Sequence, residues 1–346
     1  MKKLLTYFLT GAMTLVTSAS AIAQTSVMTI HENDAVNLRR FVPKGSYSGI
    51  TRLSGNTYAV VSDSEQRDGF FKFNIVIDSV TGEIQTVENI GFYSSETTGR
   101  DAECVAYNPV RKTIYVGGEK NNSVVEYDVN GLSTGRRSGN LIPGTRSNEG
   151  MESLCFDTKN NLLWTISEGT LTSDNNGNHA TATNGVANML RLSAYDVNFK
   201  KVREFAYKTD TPENLKKAQH YAMGVSEIAV LDDGRILVLE REAWVPRIKY
   251  GAWVVCKLYL VDPSTSKTVS SSVALNNESP FMQKTLLWAC NTTMSFNGLN
   301  WANYEGMCLG PKLRDGSQTV ILISDSQDRY QGILQDWIKT IVIKQR

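Results

Sequence analysis

Short apolar runs occur in pairs along this 346-residue chain, and most pairs are flanked by acidic residues. A turn signal lies between the two runs of each pair, such as Asp232-Asp233-Gly234. Apolar, β-rich runs around a turn are typical of antiparallel hairpins, in which residues equidistant from the turn lie side by side. The copies read DAECVAYNPVRKTIYVGGEK from Asp101, EGMESLCFDTKNNLLWTISEG from Glu149, GVSEIAVLDDGRILVLERE from Gly224, NYEGMCLGPKLRDGSQTVILISDS from Asn303 and, more weakly, SGITRLSGNTYAVVSDS from Ser48. We therefore expect each acidic pair at the open end of its hairpin.

A second two-strand signal follows each hairpin. An alternating apolar strand leads through an Asp and a turn residue to another strand, as in MLRLSAYDVNFKKVREFAY from Met189. Four antiparallel strands per unit, repeated along the chain, predict an all-β fold of the β-propeller class. Five four-stranded repeats are detectable, so we predict five or six blades in a single domain over residues 24–346. A β-sandwich also has many short strands, but it does not predict a repeated acid–turn–acid unit.

The ends of the chain and its insertions refine this prediction. We expect ILQDWIKTIVI to complete the last blade by pairing with an N-terminal strand near SVMTI or AVNLRRFVP. The long loop insertions all lead into a first strand or leave a second strand, which places them on the acidic face and marks it as the binding face. In TPENLKKAQHY, Thr211 as N-cap and Pro212 at the first helical position predict one short helix on that face.

The first 23 residues have the pattern of a secretory signal peptide. Lys2 and Lys3 precede an apolar stretch interrupted by Gly and Thr, and Ala21-Ile22-Ala23 predicts cleavage after Ala23. The alternative, a short membrane anchor, is disfavoured because the apolar run is too short to cross about 30 Å of hydrocarbon. No second apolar stretch approaches that length. We therefore predict a periplasmic or secreted protein with no membrane span.

Charge and cysteine content narrow the function classes. Removal of Lys2 and Lys3 lowers the 36 Lys and Arg to 34 against 35 Asp and Glu, a net charge of −1, which argues against a nucleic-acid partner. The five cysteines do not resemble a disulfide framework. Cys155 and Cys308 occupy equivalent positions in first strands and are expected to be core thiols. One disulfide is compatible with an oxidising compartment, and the sequence does not assign it. The oligomeric state stays open, and a monomer is compatible with the sequence.

Nine carboxylates are expected to point toward one rim of the propeller channel. Clustered like charges raise each other's pKa unless cations neutralise them, and Ca²⁺ takes about six to eight oxygen ligands. We therefore predict a Ca²⁺ site, with other divalent metals as alternatives, whose candidate ligands are Asp63, Glu103, Glu119, Glu152, Glu168, Glu227, Glu240, Glu305 and Asp325. The alternative is structural: these acids cap backbone N–H groups and form ion pairs between blades.

Basic residues stand close to several of these acids. Arg and Lys beside metal-binding carboxylates suit a small anionic substrate, above all a phosphate bridged to a metal. The alternative role is again the inter-blade ion pair. Arg241 is favoured because it leads into an aromatic and basic insertion. The candidate substrate-binding residues are Arg241, Lys120, Arg100, Arg67 and Tyr304, the last of which precedes Glu305.

The sequence lacks the common nucleophile motifs. There is no G-x-S-x-G elbow, no H-E-x-x-H segment and no Cys/His metal spacing. A metal-bound water is therefore the most economical nucleophile for hydrolysis. Glu152, Glu227 and Glu305 are the candidate catalytic carboxylates. His220, expected at the end of the predicted helix, is a candidate acid or base, with a plain surface role as its alternative.

These segments resemble the phytase-like family, described as "esterase-like activity of phytase". The resemblance runs from about Ser48 to the C-terminus, and NYEGMCLGP, DGSQTVILISDS and GVSEIAVLDDGRILVLERE are its most specific parts. YAVVSDS and DAECVAY match more loosely. The resemblance implies a secreted or periplasmic β-propeller linked to Ca²⁺-dependent hydrolysis of phosphoesters or other esters.

Two functions from different classes follow. One is a metal-dependent hydrolase, with a lactonase-like metal propeller as a variant. The other is a non-catalytic propeller that binds a protein, peptide or glycan through its loop-rich face. The insertion EAWVPRIKYGAW suits either function, as the wall of a pocket or as a contact surface.

Overall fold

The computed structural model describes residues 26–42, 45–294, 301–327 and 333–345, within which 21 strands form five sheets. The predicted signal peptide over residues 1–23 lies outside the described residues, as does part of the NTTMSFNGLNWA insertion. The chain begins with β1 (Val27–Glu32) and β2 (Val36–Asn37). The first blade contains β3 (Tyr47–Ser54), β4 (Thr57–Ser62), β5 (Phe70–Ile77) and β6 (Ile84–Tyr93).

The next three blades repeat this order of four antiparallel strands. The second contains β7 (Ala102–Asn108), β8 (Thr113–Gly118), β9 (Ser123–Asp128) and β10 (Ser133–Arg137). The third contains β11 (Cys155–Asp157), β12 (Leu162–Thr165), β13 (Met189–Tyr195) and β14 (Lys201–Lys208). The fourth contains β15 (His220–Val230), β16 (Ile236–Val245), β17 (Trp253–Val261) and β18 (Lys284–Thr293).

The fifth blade is made from both ends of the chain. It contains β19 (Asn303–Lys312), β20 (Gln318–Asp325) and β21 (Trp337–Gln345). Strand β21 pairs on its other edge with β1 and β2, which confirms the predicted closure by the N-terminal segment. The first strands contact one another in the ring β3–β7–β11–β15–β19–β3. The fold is therefore a five-bladed β-propeller with these five strands around its central channel.

Apolar side chains fill the space between neighbouring blades. Between the third and fourth blades, Trp164 stacks on Phe205 with ring centroids 6.0 Å apart, and both belong to a cluster that includes Val238. Buried charges are paired there too: Arg191 bonds Asp174 at 2.7 Å and Glu204 at 2.8 Å. The two faces of each blade are covered by the two neighbouring blades. Most strands are therefore apolar on both faces.

The short helix predicted over TPENLKKAQHY does not form, and His220 instead begins β15. Groups on β16 hold the segment in an extended path. The Glu213 N–H donates to Glu242 Oε2 at 2.8 Å, and the Trp244 indole N–H donates to the Lys216 carbonyl at 2.9 Å. These backbone groups would otherwise bond within a helical turn, so contacts to the fourth blade override the local helix signal. Three short turns of the 3-10 type occur in the described residues, at Leu38–Arg40, Glu119–Asn121 and Asn175–Gly177.

Candidate active site at the channel mouth

Each innermost strand carries one extra residue near the channel mouth. In β7, for example, the register with β8 shifts between Ala102 and Cys104. Such a β-bulge re-aims a side chain and is common beside functional sites. We call the five equivalent residues, one from each blade, the inner ring: Ser48, Glu103, Glu152, Ser226 and Glu305.

A second ring comes from the second strands. In the second blade, Ala102 pairs with Gly118 beside the bulge, and the ring residue is Glu119, which follows Gly118 along the chain. The Glu119 N–H donates to the Asp101 carbonyl at 2.9 Å. The equivalent residue of each other blade is chosen in the same way. We call these five residues the outer ring: Asp63, Glu119, Glu168, Arg241 and Asp325. Seven of the nine predicted carboxylates therefore occupy equivalent positions at the mouth.

The other two predicted carboxylates, Glu227 and Glu240, are each displaced by one residue from the ring positions. The fourth blade has Ser226 and Arg241 at those positions instead. Both pairs are centred on the same Asp-Asp-Gly turn, so distance from the turn does not distinguish them. The bulge decides which pair faces the mouth, and this correction puts an arginine among the acids.

The mouth opens into a cavity of about 440 Å³. Its acidic side is formed mainly by blades one, two, three and five, and His220 stands at its rim. The ring residues that line it are Asp63, Glu103, Glu119, Glu152, Glu168, Arg241 and Glu305. Its opposite wall is largely apolar and consists of Tyr221, Ala222, Ala243, Val245, Val254, Trp301 and Leu334. The cavity is thus amphipathic.

Arg241 is the one Lys or Arg among the described residues that line this cavity. Its guanidinium donates to Glu168 of the third blade and to Glu305 of the fifth, and lies 3.3 Å from the Asn303 side-chain oxygen. The side chain is only 8% exposed. Burial lowers the pKa of Arg241, but the neighbouring Glu305 and Glu168 outweigh burial and raise it, so Arg241 carries a fixed positive charge.

The acidic side is electrostatically crowded. Burial, followed by the charges of neighbouring acids, raises the pKa of Glu103 and of Glu152 well above the usual range. Burial also raises the pKa of Glu305 to about 8, although Arg241 opposes the shift, and that of Asp325 to about 7. One arginine does not neutralise seven carboxylates, so much of the negative charge at the mouth has no cationic partner there.

Glu227 lies deeper in the channel, outside the residues that line the mouth cavity. It is 1% exposed, and its Oε1 accepts the backbone N–H groups of Leu154 at 3.1 Å and Ile228 at 3.0 Å. Within the described residues, its Oε2 has no hydrogen-bond partner. Burial raises the pKa of this carboxyl well above its usual range. Because Leu154 follows Glu152 by two residues, Glu227 anchors the segment that leads into β11 and presents an inner-ring acid.

Glu240 points away from the mouth into the contact between the third and fourth blades. Its Oε1 accepts from the Tyr207 hydroxyl and from Lys284 Nζ, both at 2.5 Å, and its Oε2 accepts the Asp210 N–H at 3.1 Å. These bonds match the structural alternative that the sequence left open for the acids.

The structure brings one of the five predicted substrate-binding residues, Arg241, into the mouth. Arg100 instead bonds Asp68 at 2.7 Å, and Tyr304 is buried in the core between the fourth and fifth blades. Lys120 and Arg67 are exposed side chains outside the cavity lining. Tyr304 turns away from the mouth because neighbours along a strand point to opposite faces. Arg100, Lys120 and Arg67 lie outside the strands, so adjacency to an acid in the sequence does not fix their direction.

Sequence reasoning missed several residues of the mouth. Asp101, Asn148 and Asn303 line the cavity and add polar side chains to the acids. Asp101 and Asn148 have positive φ angles of 62° and 58°, which Asp and Asn tolerate better than most residues. Asn303 opens the NYEG segment, so its position next to Glu305 was the available signal. The apolar wall gave no signal, because its members come from separate segments.

The donors at the mouth match hard divalent cations in chemical type. Carboxylate and amide oxygens are the ligands that Ca²⁺ takes, and the mouth has an excess of both. In the part of the chain that the structure describes, no group of three or more His, Cys, Asp or Glu side chains is close enough to hold a metal ion. A cation would therefore require side-chain rearrangement around the inner ring.

The fold and the mouth define a five-bladed β-propeller with an acidic channel entrance. The sequence profile of the phytase-like family, described as "Esterase-like activity of phytase", matches residues 42–327. The chain belongs to this family. No curated protein matches the chain. No helix in the described residues is long and apolar enough to cross a membrane.

Solved structures give only distant likenesses. A luciferin-regenerating enzyme is 10% identical with a TM-score of 0.40, over 92% of this chain and 95% of that one. A duf4221 family member from Bacteroides vulgatus is 9% identical with a TM-score of 0.39, over 93% and 99%. A protein of unknown function from Bacteroides thetaiotaomicron is 14% identical with a TM-score of 0.35, over 93% and 76%. Similarity at this level carries no functional argument.

Proposed function

We propose that this propeller is an exported, divalent-cation-dependent hydrolase of small phosphoesters or other esters, with Ca²⁺ as the preferred cation. The observation that carries the proposal is the pair of rings, which contains seven carboxylates, six of them lining the mouth cavity, and a single arginine that is already bonded to two of them. Membership of the phytase-like family supports the hydrolase class. The signal-like N-terminal sequence supports export.

Charge explains why a cation comes first. Each acid of the metal-free mouth that loses its proton would repel an anionic ester. Within the described residues, Glu103 and Glu152 are the inner-ring acids that form no ion pair with Lys or Arg, and Asp63 and Glu119 stand beside them. These four are the ligands we favour. Bound Ca²⁺ would neutralise them, polarise the ester and activate a water molecule.

The remaining residues of the mouth would orient the substrate. Arg241 is held at the mouth by Glu168 and Glu305 and can donate to an ester or phosphate oxygen as those acids turn to a cation. His220 stands at the rim, where it can transfer a proton to the leaving group. Val245, Val254 and Trp301 offer an apolar surface to the organic part of the ester. This wall favours a monoester with an apolar group over a polyphosphate, which would need several free basic residues.

The first test is thermal unfolding with EDTA and then with Ca²⁺, beside a metal-content assay. A ligand that binds only the folded state raises the melting temperature by mass action. We expect a Ca²⁺-dependent rise that Glu103→Gln/Glu152→Gln abolishes and that the exposed control Glu88→Gln preserves. A rise that survives the double variant, or no bound metal at all, would refute the assigned ligands or the cation site respectively.

The second test is turnover. Aryl phosphates and aryl esters should be hydrolysed in the presence of Ca²⁺, and the Glu103→Gln/Glu152→Gln variant should lose at least about two orders of magnitude in kcat/KM. A Val254→Ala variant should raise KM for aryl substrates without changing the metal response. Metal binding without turnover of any ester would support the cation site and refute the proposed hydrolase activity.

A hairpin at the rim favours binding of a protein or glycan as the second candidate function. Between β16 and β17, Ile248 is 86% exposed and Tyr250 is also exposed, beside Trp244 and Trp253, whose rings stack with centroids 6.1 Å apart. Exposed apolar residues on a rim are typical of contact surfaces. If this is the function, Ile248→Asp/Tyr250→Ser will abolish capture of the partner, while Glu103→Gln/Glu152→Gln will have no effect.

A further inference from the structure

Cys256 and Cys290 are directly opposite each other in the fourth blade. Cys256 on β17 pairs with Cys290 on β18 in an antiparallel ladder that runs without a shift from Trp253 to Leu258. Opposed residues in such ladders have Cα atoms about 4.5 or 5.5 Å apart, and both spacings lie within the range of disulfide-bonded cysteines. The Cα spacing of this pair is therefore compatible with a bridge.

The two thiols also have unequal surroundings. Cys290 is half-buried, whereas Cys256 is fully buried beside the Tyr304 carbonyl, 3.9 Å from its Sγ. A hydrogen bond from Cys256, with help from the charge of Lys339, lowers the pKa of Cys290. That bond and burial raise the pKa of Cys256. Cys290 is thus the thiol that an oxidant reaches first and the better source of a thiolate.

The other three thiols are differently placed. Cys104, Cys155 and Cys308 lie on the first strands of three different blades, and burial raises the pKa of each. None of them is opposite another cysteine in a described ladder. All five cysteines are free thiols in this structure. Cys256 and Cys290 are therefore the one pair that the described strands align.

We propose that Cys256 and Cys290 form a disulfide when the protein meets a protein disulfide or a small-molecule disulfide as oxidant. The Cys290 thiolate attacks one sulfur of the oxidant and displaces the other sulfur as a thiolate. Cys256 then loses its proton, attacks the Cys290 sulfur of the mixed disulfide and displaces the second thiolate. The two cysteines lose two protons and two electrons, and the oxidant disulfide takes them up to become two thiols.

The bridge would stiffen the wall of the mouth cavity. Val254, which lines the cavity, precedes Cys256 by two residues and so lies on the same face of β17. On the other side of β17, Arg241 of β16 is the ladder partner of Cys256. A covalent link to β18 would therefore restrain β17, which carries Val254 of the apolar wall and pairs with the strand that carries Arg241. It would also close the loop that contains the insertion between β17 and β18.

The test is differential alkylation with mass spectrometry. The folded mature protein is incubated with oxidised glutathione, alkylated without reduction and digested. We expect a peptide pair linked through Cys256 and Cys290 with a loss of about 2 Da, while Cys104, Cys155 and Cys308 are alkylated once the chain is denatured. Full alkylation of both Cys256 and Cys290, or a bridge between any other pair, would overturn the proposal.

Variants separate the bridge from effects of packing. Reduction should lower the melting temperature of the oxidised wild type and of the control Cys155→Ser, because both retain the cross-link. It should not change that of Cys290→Ser or Cys256→Ser. In Cys256→Ser, Cys290 should accumulate as a mixed disulfide with glutathione, whereas Cys290→Ser should give none at Cys256. A glutathione adduct on Cys256 would contradict the assigned order of attack.

Discussion

Arg241 of the fourth blade donates to Glu305 of the fifth, so a single ion pair joins the outer ring to the inner ring across a blade boundary. Glu168 of the third blade binds the other end of the same guanidinium. Arg241→Met leaves these two buried acids without their cation. We expect a loss of about 3–5 kcal/mol in the free energy of unfolding, measured by urea denaturation at pH 8.

The same variant should be partly restored at low pH. Removing Arg241 raises further the pKa of Glu305, which is already about 8, so at pH 5 the acid is protonated and needs no cation. Arg241→Lys, which keeps the charge but loses the fork of donors, should be intermediate. Equal losses at pH 5 and pH 8 would show that Arg241 acts through packing and not through charge.

The metal-free wild type should become less stable as the pH rises. Glu305 and Asp325 have folded-state pKa values of about 8 and about 7, and those of Glu103 and Glu152 are raised as well. Their unfolded values are about 4. Groups with raised folded pKa values contribute stability that is fully present below pH 4 and is lost as the pH rises toward 8. In EDTA, the melting temperature should therefore fall between pH 5 and pH 8.

Added Ca²⁺ supplies the control for this pH profile. A cation that binds the ionised acids should flatten the fall or reverse it, because binding strengthens as the acids lose their protons. A melting temperature that rises with pH in EDTA would contradict the crowding of carboxylates at the mouth.

Glu227 should tolerate loss of charge but not loss of its oxygens. Glu227→Gln keeps an acceptor for the Leu154 and Ile228 N–H groups, so we expect near-wild-type stability and activity. Glu227→Leu leaves those buried donors unsatisfied and should cost about 1–3 kcal/mol by urea unfolding. Loss of turnover in a fully folded Glu227→Gln would instead support the catalytic role that the sequence suggested.

Gly224 fixes the contact between the third and fourth blades. A Cβ at this position would lie 2.1 Å from the Glu168 carbonyl oxygen, a backbone atom that cannot swing away. Gly224→Ala should therefore destabilise the fold by about 1–3 kcal/mol and displace the outer ring. Gly139→Ala is the matched control, because a Cβ there meets no atom within 4 Å. Similar unfolding midpoints for the two variants would contradict this account.

The architecture was accessible from the sequence because each level of the pattern repeats. Alternating apolar residues, turn signals and acids at the hairpin ends predicted the four-stranded units, and the leftover strands at the two ends predicted the closure of the ring. The prediction of a helix over TPENLKKAQHY was wrong because it considered only the preferences of the segment itself. Side chains of β16, which follows later in the sequence but lies close in space, hold that segment extended.

The positions of the ring residues in the fold were predictable to within one residue. Symmetry about the turns located seven ring acids, but the fourth blade placed Ser226 and Arg241 where Glu227 and Glu240 were expected. A bulge changes which side chain faces the channel without altering the distance to the turn. The apolar wall was beyond sequence reasoning, because Val245, Val254 and Trp301 share no pattern.

The pairing of β21 with both β1 and β2 has a consequence for synthesis of the chain. On the ribosome, the earliest strands must wait for the last nine-residue strand before the ring can close. Until then β1 and β20 each present an open edge, and exposed edges pair readily with other chains. A stop codon just before β21 would leave both edges open permanently. We therefore expect that loss of these nine ordered residues gives an aggregating protein and not merely a shorter propeller.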